Sequence, residues 1–260
     1  MKKLLTTLMM ICVLALAASP ASAYYLLNDW TFDLTPVDAN AGTWDGLTHW
    51  KVGGEVTQEN TPNLINPLEG TFTQTLNYLD VLSFGLFTGG QLNPGFNLEP
   101  ATTNRLSFMT EADALSGSYS IADGKYYYDP SGLASLYYWD TTGTQHTLAE
   151  FTNFSGGGEL DDGFSGGTGS TGTINLFAEM EVLYEGVFID QFGNDLYSEN
   201  PFHVALGFVE GGFTIDSINP IVSTVTGEVN FAVPAPASVL LLGPGLMALG
   251  GLRRRFFKKA

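Results

Sequence analysis

The chain has 260 residues, 44% hydrophobic and 13% aromatic, with 27 Asp and Glu against 10 Lys and Arg, a formal charge of −17. Its single cysteine, Cys12, excludes a disulfide framework and a thiolate metal cluster. All 27 carboxylates lie between Asp29 and Glu228, where Lys51, Arg105 and Lys125 are the only cations, so that stretch carries −24 and excludes nucleic acid held by phosphate neutralisation.

Met1 to Ala23 reads as a secretory signal peptide. Lys2 and Lys3 are its positive start, Leu4 to Ala18 its apolar run, and Ala21-Ser22-Ala23 its small-residue cleavage site, with the cut expected before Tyr24. Cys12 leaves with this segment, so the mature chain has no thiol. The translocon of the Sec route and signal peptidase are the partners implied.

Residues 24–232 follow as the exported body, long enough for one domain with its own core. The patterning predicts all-β structure. Thr71 to Phe87 alternates, with Phe72, Leu76, Tyr78, Leu82, Phe84 and Leu86 on one parity and Thr71, Thr73, Thr75 and Asn77 on the other. Leu176 to Phe188 alternates in the same way, setting Leu176, Ala178, Met180, Val182 and Tyr184 against Glu179, Glu181 and Glu185. A period of two with one polar face marks strands packed on one side. Tyr25–Leu34, Arg105–Met109, Lys125–Tyr128, Leu133–Trp139, Thr147–Phe154, Phe202–Val209, Phe213–Ile218 and Ile221–Phe231 bring the total to roughly ten to twelve strands, separated by Gly, Pro and Asn turn signals. No helical period persists for three turns. The expected fold is an antiparallel β-sandwich, jelly-roll-like. Ser155 to Gly172 is rich in glycine and reads as a long surface loop within one domain rather than a linker between two.

Catalytic patterns are weak in this body. Gly163-Phe164-Ser165-Gly166-Gly167 matches the nucleophile-elbow pattern but lies in the Gly-rich stretch with no helix to follow, so it reads as a chance match. His49, His146 and His203 are isolated in sequence and give no zinc spacing. The acidic groups Glu111-Ala112-Asp113, Glu159-Leu160-Asp161-Asp162 and Asp123 with Asp129 could offer oxygen ligands to calcium, but none fits an EF-hand loop. The expectation is no catalytic residue, no cofactor and no resident metal. Aromatic rings are the remaining recognition candidates. Tyr126-Tyr127-Tyr128 and Tyr137-Tyr138-Trp139 flank the turn Asp129-Pro130-Ser131-Gly132 and read as a hairpin, while Trp44 and Trp50 flank Gly46. Successive strand residues face opposite ways, so each triplet exposes one ring and buries another. Trp44, Trp50, Tyr127, Tyr138 and Trp139 are therefore the candidate glycan contacts, with cross-strand core packing the competing use of the same rings.

Val233-Pro234-Ala235-Pro236 opens the tail. Ala237 to Leu252 then runs sixteen residues without a charge, and Arg253-Arg254-Arg255 with Lys258 and Lys259 closes the chain. At 1.5 Å per residue the apolar run spans about 24 Å, and snorkelling arginines extend it to a single C-terminal transmembrane helix whose basic end stays cytoplasmic. This layout resembles the PEP-CTERM sorting signal of Gram-negative bacteria, which joins a Pro-Glu-Pro motif, a hydrophobic helix and an Arg-rich end. The resemblance covers Val233 to Arg255 and departs at Ala235, where that family usually has Glu. It implies processing by a membrane-embedded exosortase, with transient anchoring followed by display at the cell surface or in the extracellular matrix. The function expected is a non-enzymatic structural or adhesive role in an exopolysaccharide or biofilm matrix. A carbohydrate-binding β-sandwich, calcium-assisted or not, is the alternative, and a glycoside hydrolase working with two carboxylates comes third.

Overall fold

The computed structural model describes residues 24–66, 68–110, 114–120, 122–160, 171–199, 207–208, 211–215 and 220–234. Residues 1–23, expected to be a signal peptide, and the tail from Ala235 onward lie outside them. So do the elbow-like pentapeptide Gly163–Gly167, His203, and the acidic residues Glu111, Asp113, Asp161 and Asp162. Leu26–Val233 is one compact body. The second unit, residues 1–25 and 234–260, is described only at Tyr24, Tyr25 and Pro234.

The described structure is all-β. Among the described residues there is no α-helix, only a 3-10 turn at Leu196–Glu199, and no helix long and apolar enough to cross a membrane. The segment 237–252, expected to span one, lies outside the described residues. Fourteen strands form one large antiparallel sheet, and β1 (Tyr24–Leu26) pairs separately with β16 (Ala232–Pro234).

Two long hairpins organise the large sheet. The first joins β3 (Thr43–Pro62) to β4 (Glu69–Leu86), and the second pairs β10 (Gln145–Leu160) with β11 (Thr171–Val182). Shorter strands bridge them. At one end β7 (Leu115–Ser120) and β8 (Lys125–Tyr128) fill the space between β4 and β10, and β14 (Gly211–Ile215) and β15 (Ile221–Asn230) fill that between β11 and β3. These eight strands close a ring. At the other end β6 (Arg105–Thr110) and β9 (Ala134–Trp139) bridge β4 to β10, while β2 (Trp30–Asp33) carries β12 (Phe188–Ile189) beside β3. The short β5 (Gln91–Leu92) pairs with β4, and β13 (Gly207–Phe208) with β15. Closure leaves few open edges, which are the usual sites of strand-to-strand aggregation.

The two ends have different interiors. Around β2 and β12 the core is aromatic: Trp50 lies 4.9 Å from Phe32, 5.0 Å from Phe231 and 5.5 Å from Phe84, ring centroid to centroid. In the eight-strand ring it is partly polar. Tyr128 Oη donates to Gln74 Oε1 at 2.7 Å, and Gln58 Nε2 donates to Asn60 Oδ1 at 2.8 Å. Burial pushes the Tyr128 and Tyr126 hydroxyls well above the usual phenol range, which keeps them neutral donors. The cavity beside this network is about 10 Å³ and an apolar one next to it about 20 Å³, so neither has room for a small-molecule ligand.

Several expectations change here. Ser155 to Gly172 is not all loop: β10 continues to Leu160 and β11 begins at Thr171. Glycine serves close strand approach in this stretch. A Cβ on Gly156 would stand 2.1 Å from the Asn175 carbonyl, and one on Gly157 2.3 Å from that of Tyr126. The two tyrosine triplets do not form a hairpin, because β8 pairs with β7 and β10 while β9 pairs with β6 and β10. They lie at opposite ends of β10, and Asp129–Gly132 carries the chain from one end to the other.

Candidate functional site

Two of the five candidate glycan residues are core. Trp50 and Tyr138 are each 0% exposed. Trp50 sits inside the aromatic cluster, and Tyr138 points its hydroxyl at Asp38 Oδ2, 3.3 Å away. Neither ring can reach a ligand, because each falls on the inward parity of its strand. Trp44 is half-buried, packed 5.3 Å from Phe96 and 5.9 Å from Phe32. Trp139 is also half-buried and lies under the Arg105 guanidinium at 5.0 Å. Tyr127 alone among the five presents a largely open ring, 52% exposed on the outer face of β8.

Tyr127 borders an open groove of about 450 Å³ at the ring end of the body. The strand register lines up one row across five strands there: Thr61, Thr71, Ser118, Tyr127 and Gly157 are successive cross-strand partners. Neighbouring strands lie ~4.8 Å apart, so three hydroxyls and an aromatic ring form a continuous outward strip. Glu59, Thr73 and Ser116 make a parallel row. At Gly70 a Cβ would stand 2.4 Å from the Thr61 carbonyl and 2.6 Å from the Tyr119 hydroxyl oxygen, so the close approach of β3 to β4 requires glycine there. Asn63 fixes the β3–β4 turn by accepting the Ile65 N–H at 2.8 Å, and Glu69 places one carboxylate on the groove. The adjoining tip carries Leu64 and Ile65 almost fully exposed.

Sequence reasoning missed the hydroxyl strip. Its signal was the alternation of Ser116, Ser118 and Ser120 in β7, a strand not predicted, opposite Thr71, Thr73 and Thr75 in β4.

Every cation of the body is paired. Lys51 lies 3.7 Å from Glu228, Lys125 lies 3.2 Å from Glu159, and Arg105 binds Asp80. The Arg105 site joins one cation to two carboxylates. Its Nε donates to Asp80 Oδ1 at 2.8 Å, its Nη1 contacts Glu99, and its plane lies between the rings of Tyr78 and Trp139. Asp80 Oδ2 also accepts the Glu99 N–H at 2.7 Å. Arg105 and Asp80 are nearly inaccessible, with side chains 5% and 2% exposed. This arrangement fastens the β5–β6 connection to the sheet.

Other carboxylates hold turns. Asp140 Oδ1 accepts the N–H groups of Thr142 and Thr144, and Asp190 Oδ1 accepts those of Phe192 and Asn194. Each loop has glycine at its fourth position with φ of 87° or 83°. The Thr142 hydroxyl and these N–H groups hold Asp140 well below the usual carboxylate range, and His146 Nε2 adds a contact at 3.2 Å. Asp38 is lowered by the Asn40 N–H, then by Thr141 and Tyr138, against the opposing effect of burial. His49 lies 3.7 Å from Glu228. Among the described residues no three or more His, Cys, Asp and Glu gather as a metal site. Asp123 accepts from Ser120 and Asp129 stands exposed at the β8 end.

No family model matches the chain, and neither a curated protein nor a solved structure shows significant similarity to it.

Proposed function

We propose that this is an exported bacterial surface or matrix protein with a structural or adhesive, non-enzymatic role. In this reading it is carried out by the Sec route and signal peptidase, then sorted through its PEP-CTERM-like tail by an exosortase-type protease. The observation that carries the reading is the layout of the chain: a cleavable apolar start, an anionic β body, and a tail of Val233-Pro234-Ala235-Pro236, Ala237–Leu252 and Arg253–Arg255. The body supports it by beginning and ending at one place, since the Leu27 N–H donates to the Phe231 carbonyl at 2.8 Å. The two long hairpins and their bridging strands support a jelly-roll-like sandwich as the architecture. Fractionation of native cells with mass spectrometry of the mature ends tests the proposal. The expected species begins at Tyr24 and is found in the envelope or medium; a chain intact at both ends and free in the cytoplasm refutes it.

One observation favours a second reading, a carbohydrate-binding body: the open Tyr127 ring beside a groove of ligand size whose lining includes Thr61, Thr71 and Ser118.

A further inference from the structure

We infer that the groove between the β3–β4 turn and β8 is a binding site for neutral polysaccharide, with Tyr127 as the stacking platform and the Thr61–Thr71–Ser118 strip as the hydroxyl-reading edge. The inference rests on the carbohydrate-binding reading and adds the ligand's charge class and the contacting residues.

Three features converge on this chemistry. The first is the exposed ring. Its neighbours across the register are Ser118 on one side and Gly157 on the other. Small partners leave the face of Tyr127 uncovered, whereas Trp139 at the other end is covered by Arg105. A pyranose presents an apolar face of C–H groups and a rim of hydroxyls, which suits an aromatic plane flanked by hydroxyl groups. The second is shape. The groove is open, about 450 Å³, and continues along a strip crossing strands β3, β4, β7 and β8, so a chain can lie across it without entering the closed interior. The third is charge. Glu69 lies on the groove, and Lys125, the cation nearest Tyr127 in sequence, is paired with Glu159 at 3.2 Å. Lys51 and Arg105 are paired as well. A uronate, sulfate or phosphate polymer would meet a body of net charge −24 with no unpaired cation to receive it. Uncharged hydroxyl-rich chains meet no such penalty.

The test is affinity electrophoresis of the purified protein through native gels containing hydroxyethylcellulose, dextran or alginate, with Tyr127→Ala beside it and Phe87→Ser, exposed at the far end of β4, as a surface control. The expected result is retardation by at least one neutral polymer and none by alginate. Tyr127→Ala should weaken that retardation roughly two- to tenfold at an unchanged Tm, and Phe87→Ser should leave it intact. Retardation by alginate and by neither neutral polymer, with or without calcium, overturns the neutral-ligand inference while the carbohydrate-binding reading stands. Retardation by none of the three overturns both. Neutral retardation that survives Tyr127→Ala overturns the assignment to this groove.

Discussion

Arg105→Leu tests whether the body's one deeply buried cation is a structural clamp. Its side chain is 5% exposed and that of Asp80 is 2%, so neither charge keeps water of its own. Glu99 is 39% exposed and can turn outward when the guanidinium is gone; Asp80 cannot. The variant therefore leaves a carboxylate buried beside apolar and aromatic side chains, a situation that costs about 3–5 kcal/mol. Loss of the stacking on Tyr78 and Trp139, at 5.6 and 5.0 Å, adds to the cost. In a body of this size each kcal/mol moves the midpoint by roughly 2–4 °C, so Tm should fall by about 10 °C. Urea unfolding followed by tryptophan fluorescence reads the change directly. The double variant Arg105→Leu with Asp80→Leu supplies the internal control. Removing both charges removes the orphan, and the pair should cost less than Arg105→Leu alone. A single-variant cost below 1 kcal/mol, or a double variant equal to the sum of the singles, refutes the clamp.

Two further outcomes follow from the same geometry. Asp38 and Asp140 titrate below the ordinary carboxylate value near 4 in the folded chain, so below that value the unfolded chain binds more protons and stability rises with pH. Their contribution is complete above about pH 5 and disappears as the pH falls through 4 and below; Asp140→Asn should flatten this acid limb in a Tm-against-pH series, and an unchanged limb would remove Asp140 from the account. Gly54→Ala places a Cβ 1.9 Å from the Tyr78 carbonyl, so β3 and β4 must separate at a cost of about 1–3 kcal/mol. In the same urea series Leu64→Ser, at a fully exposed position, should stay within ~0.5 kcal/mol, and equal costs for the two would refute the close-approach argument.

How legible the strands were depended on whether a bulge interrupted them. β8 lies at Lys125–Tyr128 as its composition predicts, and the alternation of Leu176, Ala178, Met180 and Val182 points inward throughout. β4 was found, but its parity was misread. Phe72, Leu76 and Phe84 are buried, whereas Leu82 is exposed and Leu79 and Val81 take the inward places. Register shifts opposite Glu55/Val56 and Lys51/Val52 account for this, since one extra residue turns every later side chain to the other face. The partner strand β3 went unread for the same reason: Leu47, Trp50, Val52 and Val56 are all inward but do not share one parity.

The groove shows where local pattern stops being informative. Alternation alone says that Tyr126, Tyr127 and Tyr128 cannot all face the same way, and equally that Tyr137, Tyr138 and Trp139 cannot. It does not say which outward ring stays open. In the second triplet Tyr137 is only 4% exposed, and Trp139 is capped by Arg105, its partner across the register with β6. Tyr127 is open because its own register partners, Ser118 on β7 and Gly157 on β10, are too small to cover it. Gly157 must be glycine because a Cβ there would meet the Tyr126 carbonyl. The backbone constraint that brings β8 against β10 therefore also uncovers the neighbouring ring. An exposed aromatic can thus arise as a by-product of tight strand packing, which is why the Tyr127→Ala binding measurement, and not the exposure, decides whether the ring is used.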